Sequence, residues 1–184
     1  MKKNLFFIVL MALGVCLGFV SCGSDDDDTT PNGESRNHGA MSFVGTSKFY
    51  VVGMQDDTSV SIPGDQVELT LVGVGSKQAE IIFPDMEYNH NGTDMVVKSF
   101  TANTGVDYTM TGSYQTGDMA FDWEEAEFTA TTTGVDGNPK TITGKLSARY
   151  VHSTKKFDVV AEFKYGSMPM AIHYELLDAD YQKK

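Results

Sequence analysis

The chain has 184 residues, of which 41% are hydrophobic and 11% aromatic, and its formal net charge is −11 at pH 7. This length predicts one folded domain with a short additional segment at one end. Eight Tyr, eleven Phe and one Trp are too many large rings for a chain that stays unfolded. The acidic balance argues against nucleic-acid binding, which needs a basic surface, and against docking on an anionic bilayer through a basic face.

The first 21 residues have the pattern of a secretion signal. Lys2 and Lys3 give a positively charged start, and an apolar run follows over residues 5–20. At about sixteen residues this run is short for a membrane span and has the length of a signal-peptide core. Residues 1–21 are therefore predicted to be a signal peptide. An ordinary secretory signal cut nearby and a single N-terminal anchor helix remain the alternatives.

Small residues precede a cysteine in Val20-Ser21-Cys22. This segment resembles the lipobox of bacterial lipoproteins, with Phe19 where a lipobox usually has Leu. The resemblance implies cleavage before Cys22 and attachment of diacylglycerol to its thiol, so that the lipid holds the protein on a membrane. Cys16 would leave with the signal, and no thiol would remain for a disulfide, a nucleophile or a metal site. Loss of the two lysines would change the net charge from −11 to −13.

Residues 22–40 are predicted to be the lipidated cysteine and a flexible acidic tether. Four aspartates at 25–28 precede a polar segment with no apolar residue until Ala40, and such a composition cannot bury enough surface to fold. Cys22-Gly23-Ser24 followed by acidic residues resembles the surface-export signal of Bacteroidetes lipoproteins. That resemblance implies the outer face of the outer membrane, with its periplasmic face as the alternative.

Residues 41–178 are predicted to be a run of antiparallel strands, and residues 179–184 a polar tail. Apolar and polar residues alternate with period two, most clearly over 157–165. Pro84 predicts an edge, a bulge or the end of a strand, and Asn91-Gly92 predicts a hairpin turn. The segment therefore indicates an all-β domain.

One long strand is predicted over residues 119–133. Phe121 and Trp123 share a parity that Phe128 does not share. A β-bulge near Glu124-Glu125 would place all three aromatic rings on one face. Shorter strands are predicted over 95–101 and 106–114.

Eight or nine strands of about 7–12 residues, joined by short turns, leave no room for a parallel crossover. A sandwich and a closed barrel both bury one face of each strand. The short sequential hairpins favour a single antiparallel meander β-barrel of about eight strands. Such a barrel holds either packed side chains or one small ligand.

The segments FVGT, GVGSKQAEIIFPDMEY, ITGKLSARYVHSTKKFDVVAEFKY and MPMAIHYEL occur in that order along the chain. Their organisation resembles the calycin-like, or lipocalin-like, β-barrel domain of Bacteroidetes lipoproteins. Classical lipocalins open with Gly-x-Trp, whereas this chain has its single Trp at position 123. The resemblance implies a fold and a location on the membrane. It implies no activity, because most members of this family have none assigned.

No motif predicts a catalytic residue, a metal or a cofactor. His38, His90, His152 and His173 lack metal-ligand spacing, and the alternation places His173 on the outer face of its strand. The sequence accordingly predicts a protein that is not an enzyme.

Four carboxylates surround the tryptophan, namely Asp122, Glu124, Glu125 and Glu127 around Trp123. Glycoside hydrolases use two carboxyl groups about 5–10 Å apart, and residues i and i+2 of a strand meet that distance. Any exposed acidic strand meets it too. We therefore expect a solvated face here, and a hydrolase or inhibitor is the least supported function.

Two other functions are predicted in order of preference. The first is non-enzymatic binding of a small hydrophobic molecule or a glycan. The aromatic residues able to form a platform for such a ligand, or to serve as ordinary barrel packing, are Tyr108, Tyr114, Trp123, Tyr150, Tyr165 and Tyr174. The alternative is a structural or adhesion protein with a filled barrel that contacts protein partners through its loops. The oligomeric state is not predicted. The ligand-binding residues expected for the first function are Phe49, Leu69, Phe83, Trp123, Phe163 and Met170.

Overall fold

The computed structural model describes residues 39–54, 66–75, 77–90 and 93–183. The predicted signal peptide, Cys22 and the predicted tether up to residue 38 lie outside the described residues, as does the predicted Asn91-Gly92 turn. Within the described ranges, no helix has the length and apolar character needed to cross a membrane.

Strands make up all the regular structure in the described part of the chain. In chain order they are β1 (Ala40–Val51), β2 (Gln66–Val74), β3 (Gln78–Phe83), β4 (Met86–His90), β5 (Thr93–Val97), β6 (Phe100–Asn103), β7 (Thr109–Thr111), β8 (Ala120–Thr133), β9 (Pro139–Val151), β10 (Lys156–Tyr165) and β11 (Ile172–Gln182). β3 ends immediately before Pro84, which has no backbone N–H to continue a ladder.

Nine of these strands form one continuous antiparallel sheet in the order β6-β3-β2-β1-β11-β10-β9-β8-β7. β4 and β5 pair separately as a hairpin. Because β1 pairs with both β2 and β11, the first and last strands lie side by side in the middle of the sheet. The sheet curls into a half-barrel, which confirms the predicted all-β antiparallel class.

The strand predicted over 95–101 is divided into β5 and β6 by a corner at Lys98-Ser99. The Asp85 carboxylate holds this corner, because it accepts a hydrogen bond from Lys98 Nζ at 2.7 Å and another from the Ser99 backbone N–H at 2.7 Å. These two hydrogen bonds lower the pKa of Asp85. Of the strand predicted over 106–114, only residues 109–111 form β7.

The predicted bulge in β8 is present. The register between β8 and β9 shifts between Trp123 and Ala126, and Glu125 has a φ of 45°. The extra residue restores the inward phase, so that Trp123 and Phe128 are both buried. The Glu125 backbone N–H donates to the hydroxyl of Ser147 at 3.0 Å, which satisfies the donor that the bulge removes from the ladder.

We expect glycine to be tolerated better at position 125 than at position 124. A non-glycine residue in the left-handed region costs about 1–2 kcal/mol, which Glu125→Gly removes, whereas Glu124→Gly only adds chain entropy to the unfolded state. Urea denaturation should place the unfolding free energy of the Glu125→Gly variant about 1–2 kcal/mol above that of the Glu124→Gly variant. Equal values would show that the bulge is not strained.

A second bulge keeps the last strand in the sheet. One extra residue at Leu177-Asp178 shifts the register of β11 against β1 and β10. Asp178 has a φ of 55°, and its N–H donates to the Asp158 carboxylate at 2.6 Å. The bulge returns Ala179 to the buried face. β11 therefore includes most of the segment 179–184 that was predicted to be a polar tail.

Aromatic rings occupy the interior of the half-barrel. Phe83 stacks on Phe100 with a centroid distance of 4.7 Å, and Phe163 meets Phe100 edge-on at 5.4 Å. Phe43 and Phe157 stack at 4.8 Å nearer the end where β1 begins. Burial of these rings contributes apolar area that stabilises the fold.

The two ends of the half-barrel differ. At one end, here called the hairpin end, the β4–β5 hairpin covers the core with the buried residues Met86, Tyr88 and Val97. The Tyr88 ring meets Phe49 edge-on at 6.3 Å. The opposite end, here called the N-terminal end, contains the start of β1, the β7–β8 loop and the turn from β9 to β10.

Side chains join β8 to β6 where the sheet order shows no backbone ladder. The Thr132 hydroxyl lies 3.0 Å from the carbonyl oxygens of both Lys98 and Ser99. The rings of Phe100 and Phe128 stack at 6.2 Å. These contacts hold the β8 side of the curled sheet against β6, its opposite edge strand.

Candidate functional site

Five of the six predicted ligand-binding residues lie in the packed core. Phe49, Leu69, Phe83, Trp123 and Phe163 are 0–4% exposed. Met170 lies apart from them, 39% exposed, in the turn between β10 and β11. The structure brings the five together as packing partners and places the sixth on the surface.

Trp123 is surrounded by protein. Its ring meets Tyr108 at 5.7 Å, and its Nε1–H donates to the carbonyl oxygen of Lys77 at 3.3 Å. Both the ring and the polar atom of Trp123 are thus used within the fold.

The acidic residues next to Trp123 pair with cations on the outer face. Asp122 accepts a hydrogen bond from Arg149 at 2.8 Å, and Glu125 lies 3.4 Å from Lys145. Trp123 points the other way, into the core. In the described part of the chain, no three His, Cys, Asp or Glu side chains are grouped so as to hold a metal ion.

His173 lies on the outer face, as its parity predicts. Its ring stacks on Tyr50 at 4.7 Å, and its Nδ1 and Nε2 lie 3.5 Å from Glu162 and 3.8 Å from Glu175 respectively. The imidazole is a bridge between strands β1, β10 and β11, and its two nitrogens already face carboxylates.

An open depression of about 580 Å³ also lies on the outer face, over β8, β9 and β10. Gly144 lies between the flanking strands here, and cross-strand pairs such as Thr129 and Thr143 line the depression. Its walls are side chains of an ordinary solvated sheet.

A second groove, of about 310 Å³, lies at the N-terminal end of the half-barrel. It separates the β7–β8 loop from the turn between β9 and β10, and we call it the rim groove. Its volume falls at the lower end of the range of small-molecule sites. The residues that line it are Tyr114, Gly117, Met119, His152, Ser153 and Lys155.

Internal hydrogen bonds shape the loop that carries Tyr114. The Asp118 carboxylate accepts hydrogen bonds from the Thr116 hydroxyl and, at 2.9 Å, from the Ser113 backbone N–H. These bonds lower the pKa of Asp118. Gly112 has a φ of 68°, and a Cβ there would lie 2.4 Å from the carbonyl oxygen of Asp118, so only glycine fits. The loop holds Tyr114 outward with 75% of its surface exposed.

The facing turn is tied to the same loop. The backbone N–H of His152 donates to the carbonyl oxygen of Met119 at 3.0 Å. The rings of His152 and Tyr114 lie 5.7 Å apart with an interplanar angle of 55°. Nδ1 of His152 is buried and has no hydrogen-bond partner among the described residues. The two rings form an angled aromatic wall along the rim groove.

Lys155 and two tyrosines complete this end of the molecule. Lys155 has a φ of 54°, and its ammonium lies 5.1 Å from the centre of the Tyr181 ring, a distance at which cation–π attraction operates. Tyr150 lies behind the groove, where burial raises its pKa to about 12. Tyr150 is therefore a neutral packing residue at physiological pH.

The rim groove joins an exposed aromatic ring to hydrogen-bonding groups. Tyr114 offers a ring face and a hydroxyl, Ser153 offers a hydroxyl, and His152 offers an imidazole. A sugar presents apolar C–H groups on one face and hydroxyls around its edge, so this set of groups suits a sugar. These groups can stack on a ligand and exchange hydrogen bonds with it.

No sequence pattern predicts that these residues lie together. Tyr114 and His152 are 38 positions apart in two different connections, and only the pairing of β8 with β9 brings the connections together. An aromatic residue between Gly112 and Gly117, in an otherwise polar loop, was the one available signal.

No family model, curated protein or solved structure matches the chain.

Proposed function

We propose that this protein is a lipid-anchored, non-enzymatic glycan-binding protein of the outer membrane and that the rim groove is its binding site. The observation that carries the proposal is Tyr114, which is 75% exposed on a loop built to hold it beside His152. Binding residues occur disproportionately on loops that a rigid scaffold positions, and tyrosine is enriched at interfaces.

The packing of the interior favours the rim over the barrel core as the place of binding. A small hydrophobic ligand in the core would have to displace rings such as Phe83 and Phe163, which are 0% and 1% exposed. Displacing packed side chains costs several kcal/mol of lost contacts. The rim groove needs no such displacement.

The shape of the rim groove favours a glycan over the alternative of a protein partner. A filled core with an aromatic loop also fits an adhesion protein. Protein interfaces, however, bury about 800 Å² on each side and centre on several anchors, whereas here one exposed ring borders a groove of about 310 Å³. One or two sugar rings fill such a space.

The finer fold assignment is part of the same proposal. We take the half-barrel to be a calycin-like meander barrel whose β6 and β8 sides meet through side chains. The pairing of β1 with β11 and the contacts of Thr132 with the carbonyl oxygens of Lys98 and Ser99 support it. A closed sheet would leave few unpaired strand edges.

Under this proposal, the tether limits how far the rim groove can lie from the membrane. β1 begins at Ala40, at the same end as the rim groove. The seventeen residues between Cys22 and Ala40 span at most about 60 Å when extended. With Cys22 lipidated and the protein on the outer face, the groove would lie within that distance of the membrane and face surface or nearby soluble glycans.

Replacement of Tyr114 tests the proposed site. We expect Tyr114→Ala to weaken oligosaccharide binding at least tenfold, because it removes the ring face from the groove. The measurement is isothermal titration of the detergent-solubilised full chain with a panel of neutral and acidic trisaccharides. Val135→Ala is the matched control, because Val135 is also 75% exposed but lies in the β8–β9 turn, at the other end of β8 from the Tyr114 loop.

Two results would overturn the proposal. Absence of binding to every sugar of the panel would exclude glycan recognition and favour the protein-partner alternative. Equal affinities for the parent chain and the Tyr114→Ala variant would place any glycan site elsewhere.

A further inference from the structure

We infer that the sugar recognised by the rim groove is acidic and that Lys155 pairs with its carboxylate or sulfate. This inference rests on the proposed glycan-binding function and adds the chemical class of the ligand. Three observations carry it: the charge of the groove lining, the state of the other cations, and the placement of the Lys155 ammonium.

The lining of the rim groove differs in charge from the chain as a whole. The full chain carries a formal net charge of −11. The lining contains one lysine and no Asp or Glu. The nearby Asp118 points its carboxylate into its own loop, where Ser113 and Thr116 use it. An anion repelled by most of this surface would find a local attraction at Lys155.

Most other cations of the described chain are already paired. Lys155 has no carboxylate partner among the described residues, whereas six other basic side chains lie within 2.7–3.4 Å of an Asp or Glu oxygen. These six are Lys48, Lys98, Lys140, Lys145, Arg149 and Lys156. Lys155 thus retains its donors for a ligand.

The Lys155 ammonium is held beside the sugar-binding groups. Its backbone φ of 54° ends the turn that carries His152 and Ser153. Its Nζ lies 5.1 Å from the centre of the Tyr181 ring, which leaves N–H bonds free on the side away from the ring. A sugar placed against Tyr114 would direct an acidic substituent toward this ammonium.

The test compares two trisaccharides that differ in one group on each ring. Trigalacturonate carries a carboxylate where trigalactose carries a hydroxymethyl group. We expect the full chain, solubilised in detergent, to bind trigalacturonate at least tenfold more tightly than trigalactose at 50 mM NaCl. The preference should shrink at 500 mM NaCl, because salt screens an exposed ion pair.

Variants at position 155 identify the cation. Lys155→Met should lower the affinity for trigalacturonate about tenfold and leave that for trigalactose within twofold, because a hydrogen-bonded charge contributes about this much. Lys155→Arg should keep the preference. Lys164→Met is the matched control, since Lys164 lies on the outer depression and away from the rim groove.

The outcomes separate this inference from the proposed function. Equal binding of both sugars, unchanged by Lys155→Met, would overturn the acidic-ligand inference and leave glycan binding intact. Equal losses in the Lys155→Met and Lys164→Met variants would show a general effect of net charge and would also overturn it. Binding of neither sugar, together with failure of the wider panel, would overturn both.

Discussion

Gly144→Ala is expected to lower the unfolding free energy by about 3 kcal/mol, near the upper end of the cost of overpacking a core. Gly144 is paired with Phe128 of β8 on one side and with Phe163 of β10 on the other. A Cβ at this position would lie 2.2 Å from the carbonyl oxygen of Glu162 and 2.6 Å from the Cβ of Phe163. The obstructing atoms belong to the backbone and the base of a side chain, so rotation about a flexible bond cannot relieve the clash.

The same close approach lets the sheet bend. With no side chain at Gly144, the rings of Phe128 and Phe163 lean toward each other and meet edge-on at 6.5 Å. Glycine inside a strand commonly marks such a bend or a close backbone approach. A shift of Phe128 would also disturb the stacking of its ring on Phe100.

Urea denaturation followed by Trp123 fluorescence measures the effect, since Trp123 is the single tryptophan and is buried. Gly137→Ala is the matched control. Gly137 has a φ of 76°, and a Cβ there meets nothing within 4 Å. The unfolding free energy of this variant should therefore fall only by the cost of placing alanine in the left-handed region, about 1–2 kcal/mol. A Gly144→Ala variant no less stable than Gly137→Ala would contradict the close approach.

The alternation of apolar and polar residues predicted the features of the fold that depend on neighbouring residues in the chain. The opposite parities of Trp123 and Phe128 located the β8 bulge, because a strand can bury both rings only if an extra residue restores the phase. Alternation also placed Phe157 and Phe163 inside and His173 outside, because successive side chains of a strand point to opposite faces. Each of these features is decided within about ten residues of chain.

Features decided by distant partners were not predicted. The Lys98-Ser99 corner depends on Asp85, more than ten residues earlier. The inclusion of Ala179 in β11 depends on the bulge at Asp178, which is fixed by Asp158. The pattern of apolar and polar residues contains no information about contacts between residues so far apart in the chain.

The candidate site illustrates the same division. In the sequence, Trp123 and the carboxylates around it form a conspicuous cluster, because these residues are adjacent in the chain. The structure separates them by face, with Trp123 in the core and Asp122 paired to Arg149 outside. The rim groove instead combines Tyr114 and His152 from two connections that only the β8–β9 pairing brings together.

Cys22→Ser should abolish both the lipid and the cleavage before residue 22. Under the proposed function, diacylglycerol on the Cys22 thiol supplies two acyl chains, and two chains anchor a protein stably where one gives only marginal binding. Serine has no thiol to accept the lipid, so the variant should keep the apolar run over residues 5–20 and carry no acyl chain. Fractionation of cells expressing each variant, followed by mass spectrometry of the N-terminal peptide, measures both the location and the lipid.

Cys16→Ser is the matched control for the anchor, because it changes the other cysteine of the chain within the predicted signal core. The lipidated mature chain should begin at residue 22 in this variant, as in the parent, and stay with the membrane. A parent chain that kept its first 21 residues and carried no lipid would identify an uncleaved anchor helix instead of a lipoprotein. Proteinase added to intact cells then distinguishes the two faces of the outer membrane, because only a surface-exposed domain would be degraded. Degradation of the lipidated protein would place the rim groove where extracellular glycans reach it, whereas protection would restrict its ligands to those of the periplasm.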